Sequence, residues 1–158
     1  MDARLDFFAA PVSGKALKYF MSAGKAIRES GLPADLQELV SARVSQINGC
    51  AVCLDMHAKE AVAAGVSAVR LARVPAWREA AVFSEAERAA LALAEEGTRV
   101  ADAAEGVSDE VWANAAKHFD GELLTALVIH IAFMNMVNRM NIITRQPCAG
   151  DYVAGQLH

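Results

Sequence analysis

The sequence predicts an all-α protein of six to eight helices with no sheet. Alanine fills 33 of 158 positions and, with Leu, Glu, Arg and Lys, makes helix formers the dominant residues. Apolar residues recur at helical intervals, and no stretch sustains the apolar/polar alternation of a half-buried strand. Capping residues and Gly or Pro stops punctuate the chain at helix-length intervals. Aromatic residues are only 6%, which argues against a β-sandwich.

The first helix spans about residues 12–30, with Ala16, Leu17, Phe20, Ala23 and Ile27 on one face and Gly31 as its stop. Pro33 opens a second that runs to about Asn48 and carries Leu36, Leu39, Val40, Val44 and Ile47. Asn48-Gly49 is a turn, and a third helix follows through Cys50, Cys53, Met56 and His57 to Ala64, closed by Gly65. Residues 67–74 form a short helix ended by Pro75, and Trp77 to Phe83 connect. Ser84 and Glu87 make a capping box for a helix reaching about Val100. Ser108 caps Asp109 to His118, and Asp120 caps the most apolar helix, Gly121 to about Thr144, ended by Gln146-Pro147.

With 54% apolar and 22% charged residues, the chain is long enough to bury a core without staples. That composition excludes a disordered chain, a collagen-like chain and a disulfide miniprotein. One domain is expected over residues 1–158, with its core at about 15–147. Net charge is −4 and no basic stripe stands out, so no nucleic-acid partner is expected. The apolar run from Leu123 to Val137 contains His130 and Asn135 and is shorter than the ~20 residues of a membrane span. It reads as a buried helix, and no membrane association is expected. Residues 1–10 carry acids and no long apolar core, so no secretory signal is expected. Three cysteines in such a chain point to a reducing, cytoplasmic compartment, where thiols do redox chemistry or bind metal.

The informative segment is Glu38 to His57. Cys50, Cys53 and His57 stand at i, i+3 and i+7, one face of a helix. Asn48-Gly49 places the cysteines in the first turn, where free amides and the helix dipole favour a thiolate. His57, one turn on, can take or return a proton. The competing readings are a pair of small buried apolar residues and a zinc site. Zinc would have three ligands in C-x2-C-x3-H and would need a fourth, with Cys148 the only other thiol. Haem attachment fails because Leu54, not His, follows Cys53, and a thioredoxin fold fails for want of a βαβ pattern.

The segment from Gln46 to His57 resembles the core motif of the alkylhydroperoxidase D (AhpD)-like branch of the carboxymuconolactone decarboxylase family. The branch's pattern is Glu, eleven residues, CxxC, three residues and His. Glu38, Cys50, Cys53 and His57 match it at all four positions. Trp77-Arg78-Glu79, the stretch from Phe83 to Leu91, and Asn138-Arg139-Met140-Asn141 resemble later parts of the same family, so that about residues 15–147 are covered. The resemblance departs at Val52, where characterised peroxidase members carry His and many relatives Tyr.

The resemblance implies an all-α fold around a helical hairpin carrying the CxxC, assembled as a trimer or hexamer. It implies a thiol-dependent hydroperoxide reductase with an antioxidant role. Cys53 would be the attacking thiolate, Cys50 would close a Cys50–Cys53 disulfide, His57 would move protons and Glu38 would orient it. No bound cofactor is implied, only an external dithiol or lipoyl-type reductant. From the residues alone the attacking cysteine stays open, because Cys50 is nearer the helix start. Two other functions compete: a decarboxylase of the wider family, which does not rely on a CxxC pair, and a redox-sensing oligomer. Elsewhere, Asn135, Asn138 and Asn141 read as interhelical hydrogen-bonding groups, and His130 as a hydrogen-bonded core histidine. Cys148 reads as an incidental free thiol, and His118 as a favourable residue at a helix C-terminus.

Overall fold

A helix of ordinary composition, Ala34–Asn48, is buried on nearly all sides and organises everything else. The computed structural model describes residues 2–156, and these contain seven α-helices, one 3-10 turn and no strand. The helices are α1 (Pro11–Arg28), α2 (Ala34–Asn48), α3 (Ala51–Ala63), α4 (Ala68–Ala72), α5 (Glu85–Thr98), α6 (Asp109–His118) and α7 (Gly121–Thr144); the 3-10 turn is Val74–Ala76.

The central position of α2 follows from its two apolar faces. Leu36, Val40 and Val44 pack with Leu93 and Ala94 of α5 and with Leu127, Ile131 and Met134 of α7. Leu39 faces the other way, into a second cluster with Ala61, Val66, Val74, Trp77 and Leu91. Ser41 and Ser45 between them are fully buried as well. Gly97 on α5 allows close approach to α7, since a Cβ there would lie 3.2 Å from Ile131.

Local signals set the helix ends. Ser84 and Glu87 form the capping box, with Ser84 N–H donating to Glu87 Oε2 at 2.7 Å. Ser67, Ser108 and Asp120 accept from the amides of Arg70, Val111 and Leu123. Some boundaries differ from expectation: α1 ends at Arg28 rather than Ser30, and α4 covers only Ala68–Ala72. Pro33 stands at the N-cap of α2 rather than inside it. Pro75 lies within the 3-10 turn, which tolerates its missing N–H, instead of ending a helix. α5 stops at Thr98, two residues short of Val100.

α7 has 24 residues and is long and apolar enough to cross a membrane by length and composition. The apolar run from Leu123 is shorter than the helix because the polar Asn138 follows Val137. In the fold α7 is a core helix: Leu127, Ile131 and Met134 are buried, and so are His130, Asn135 and Asn138. The asparagines are satisfied between helices. Asn48 donates to Asn135 and Asn138 at 3.0 and 3.1 Å, Asn135 donates to Thr98 at 3.1 Å, and Asn138 donates to Ser45 at 3.2 Å.

α1 behaves differently. Its apolar stripe does not enter either core cluster, and only Ser13 and Ile27 are fully buried. Leu17, Phe20 and Ile27 line a cavity between α1, α3 and α7.

Candidate active site

The site begins at the turn between α2 and α3. Gly49 adopts φ +74°, a left-handed conformation that suits glycine and reverses the chain. The Gly49 and Cys50 amides both donate to Ser45 O, at 2.9 and 3.1 Å, tying the turn to the end of α2. Cys50 is the N-cap of α3 and Cys53 lies in its first turn, as the Asn48-Gly49 signal predicted.

Cys50 and Cys53 are joined in a disulfide, with Cα atoms 5.3 Å apart. Each residue is only 1% exposed. Their surroundings differ. Cys53 lines a cavity of about 420 Å³, and Cys50 does not. Asn141 of α7 donates its side-chain N–H to Cys53 Sγ at 3.3 Å. Cys53 Sγ thus meets an N–H donor and lies in the first turn of α3.

His57 follows Cys53 by one turn on α3 and lines the same cavity. Its Nδ1 is 2.8 Å from Glu38 Oε2, which reaches across from α2. An ionised carboxylate only accepts, so the pairing places the proton on Nδ1 and leaves Nε2 as the basic nitrogen. Both side chains are about one-sixth exposed, at 16% and 17%. Glu38 and His57, nineteen residues apart in sequence, thus meet directly between α2 and α3.

Most of the remaining cavity wall is apolar. Phe20, Met56, Phe133 and Met140 contribute, with Phe7 and Phe8 from the N-terminal segment and Pro147 from the C-terminal one. Arg4 holds the N-terminal segment against the end of α7, donating to the carbonyls of Ile143 and Thr144 at 3.0 and 2.9 Å. Val52 is part of the lining.

His130 also lines the cavity and is 6% exposed. Its Nε2 is 3.0 Å from Gln37 O and 3.0 Å from Ser41 Oγ. A carbonyl only accepts, so Nε2 carries the proton. Nδ1 is buried with no partner among the described residues. Burial, above all, holds the imidazole neutral, with its pKa pushed down to about 4 from 6.5. A histidine that takes up a proton at higher pH unfolded than folded withdraws stability as pH falls from about 6.5 towards 4. Denaturant unfolding is expected to lose about 2 kcal/mol between pH 7 and pH 5, and a His130→Gln protein is expected to lack that decline. An equal decline in both proteins would place the proton uptake elsewhere.

Asn141, Arg28 and Glu60 are among the cavity residues that the sequence does not mark for it. In sequence Asn141 continues the polar stripe of Asn135 and Asn138. It falls outside their hydrogen-bond network and bonds to sulfur instead. Its offset from Asn138 gave no signal, because only the position of α3 relative to α7 separates the two roles. Cys148 is exposed and free, and His118 occupies the last turn of α6. Among the described residues no group of three or more His, Cys, Asp or Glu side chains is placed to hold a metal ion.

An all-α scaffold with a CxxC at a helix start, facing a cavity beside a His–Glu pair, defines an AhpD-like protein. Residues 14–96 match the model of the carboxymuconolactone decarboxylase family, a span that includes Glu38, Cys50, Cys53 and His57, and the chain belongs to that family. It is 33% identical over 142 residues to the uncharacterized protein YdfG of Bacillus subtilis, covering 90% of this chain and 94% of YdfG. The crystal structure of ATU0492 from Agrobacterium tumefaciens superimposes with a TM-score of 0.85 at 31% identity, over 92% of this chain and 97% of that one. ATU0492 is a protein of unknown function assigned to AhpD-type antioxidant defence. The debrominase Bmp8, solved with 2,3,4-tribromopyrrole, gives a TM-score of 0.73 over 87% of this chain and 74% of that one. At 20% identity the likeness to Bmp8 is one of fold.

Proposed function

We propose that the protein is a thiol-dependent hydroperoxide reductase with an antioxidant role. The observation that carries this reading is the Cys50–Cys53 disulfide, with Cys53 alone of the pair lining the cavity that also holds His57 and Glu38.

In the reduced protein His57 Nε2 takes the Cys53 thiol proton. The Cys53 thiolate attacks the terminal oxygen of a hydroperoxide, forming an S–O bond as the O–O bond breaks. The departing alkoxide takes the proton from His57 and leaves as an alcohol. Cys50 then attacks the Cys53 sulfenic acid, forming the disulfide and releasing water. An external dithiol, of lipoyl or similar type, supplies the two electrons that restore both thiols. Glu38 holds the His57 ring and its tautomer through the cycle. Asn141 stabilises the developing thiolate. A decarboxylase reading leaves the buried disulfide without a part in the reaction. A sensing role would make the disulfide change the assembly. The exposed apolar residues Val12, Tyr19, Met21, Ile129 and Ile143 give a homo-oligomer, trimer or hexamer, surface to cover.

Free thiols counted on the reduced native protein are expected to fall from three to one after one equivalent of tert-butyl hydroperoxide, leaving Cys148. Peptide mapping is expected to find Cys50 joined to Cys53. A Cys53→Ser protein is expected to form no intramolecular disulfide and to consume no peroxide beyond the slow reaction of exposed thiols. Unchanged thiols in the native protein would sink the proposal.

A further inference from the structure

The cavity wall is mostly apolar and aromatic, and among the described residues Arg28 is the only Lys or Arg that lines it. Arg28 is exposed, in the last turn of α1. Its neighbour Lys25 is paired with Glu29 at 3.7 Å, whereas Arg28 has no ion pair or hydrogen bond among the described residues. The two other charged carboxylates on the wall are already engaged. Glu38 holds His57, and Glu60 accepts from the Tyr152 hydroxyl and from the Gly155 amide at 2.7 Å. Gly24, one turn before Arg28, makes room for the guanidinium. A Cβ at Gly24 would lie 3.3 Å from Arg28 Nη1 and 3.9 Å from Phe133 Cζ. The guanidinium therefore folds back along α1 over the glycine, on the cavity wall that Phe133 also lines. A lone, forked donor at the edge of an apolar chamber fits a planar anion attached to an apolar body. The protein's overall charge of −4 gives an anionic ligand no general attraction, so a local cation is needed to hold one.

We propose that the cavity takes an apolar hydroperoxide bearing a carboxylate, of the fatty-acid type, with Arg28 holding the carboxylate and the apolar body lying against Phe20, Phe133 and Met140. The peroxide end would face Cys53. The assignment of the peroxide rests on the reductase reading above; the carboxylate site does not.

Two experiments separate the two. Calorimetric titration with octanoic acid and with 1-octanol at pH 8 reads the carboxylate site without any chemistry. The acid is expected to bind at least about tenfold more tightly than the alcohol. In an Arg28→Gln protein that preference is expected to vanish, with alcohol binding unchanged. Equal binding of acid and alcohol by the native protein, or a preference that survives Arg28→Gln, would overturn the inference. Consumption of linoleic acid hydroperoxide and of its methyl ester, below their micelle concentrations, reads the reaction. A preference in kcat/KM for the acid that Arg28→Gln removes would support the whole assignment. An acid-selective site in a protein that reduces neither peroxide would leave Arg28 as a carboxylate site and refute the reductase reading.

Discussion

A His57→Gln protein is expected to form the Cys50–Cys53 disulfide about 10² to 10³ times more slowly with tert-butyl hydroperoxide, the range for loss of a positioned acid–base group. The argument starts from the pairing of His57 Nδ1 with Glu38 Oε2 at 2.8 Å. That contact fixes the proton on Nδ1, so Nε2 is the nitrogen that can take the thiol proton and return it to the leaving alkoxide. Glutamine keeps a polar side chain but no basic nitrogen. Glu38→Gln acts one step further out. It keeps the shape of the side chain but lets the ring choose either tautomer, and a loss of about tenfold to a hundredfold is expected. Glu38 is a positioning residue, so its loss is expected to be smaller than that of His57 and to fall on the rate of thiol oxidation rather than on the fold. Stopped-flow measurement of thiol loss, beside urea unfolding of each variant, reads both effects. A Glu38→Gln protein whose slower reaction is matched by an equal loss in the stability of the fold would assign Glu38 a merely structural part.

The largest stability effect is expected at Glu95, which does not line the cavity. This carboxylate is 3% exposed on α5. Its Oε1 accepts from Arg43 Nε at 2.7 Å and Trp77 Nε1 at 3.0 Å, while Oε2 accepts from Arg78. Arg99 lies 3.7 Å from Oε2. Burial works to raise the Glu95 pKa, but hydrogen bonds from Trp77, Arg78 and Arg43 outweigh it and leave the group below its ordinary value. Its contribution is therefore complete above about pH 4.5 and fades as pH falls through the lowered value. Glu95→Gln removes the charge and leaves Arg43, itself 9% exposed, without a counterion. A loss of about 3–5 kcal/mol is expected in urea unfolding at pH 7. Adding Arg43→Met to Glu95→Leu is expected to recover part of that loss, since an apolar pair no longer buries a lone charge. Additive losses would show that the two side chains act independently.

Most helix positions were legible in the sequence because helices are local objects. Ser84 with Glu87, Ser108 and Asp120 cap helices with atoms two or three residues away, so their chemistry can be read from neighbours alone. The Cys50, Cys53 and His57 spacing is local in the same sense, since all three lie at or in one helix. The Glu38 contact was legible only through resemblance to a family pattern, because it depends on how α2 lies against α3. Periodicity proved ambiguous where the partner was not protein. The stripe on α1 reads like any core-facing stripe, yet it faces a cavity, and no pattern in one helix distinguishes a packed neighbour from an empty space.

The sequence by itself therefore determined the all-α class, the helix ends and the placing of two thiols and a histidine on one helix face. Those follow from propensity, capping and a fixed 3.6-residue period. The tertiary structure alone decided that Cys53 rather than Cys50 faces the cavity, that Asn141 reaches its sulfur, and that Arg28 stands unpaired on an apolar wall. Each of these is a relation between helices far apart in the chain, set by how α1, α2, α3 and α7 pack around a shared space, and packing has no signature within a single segment.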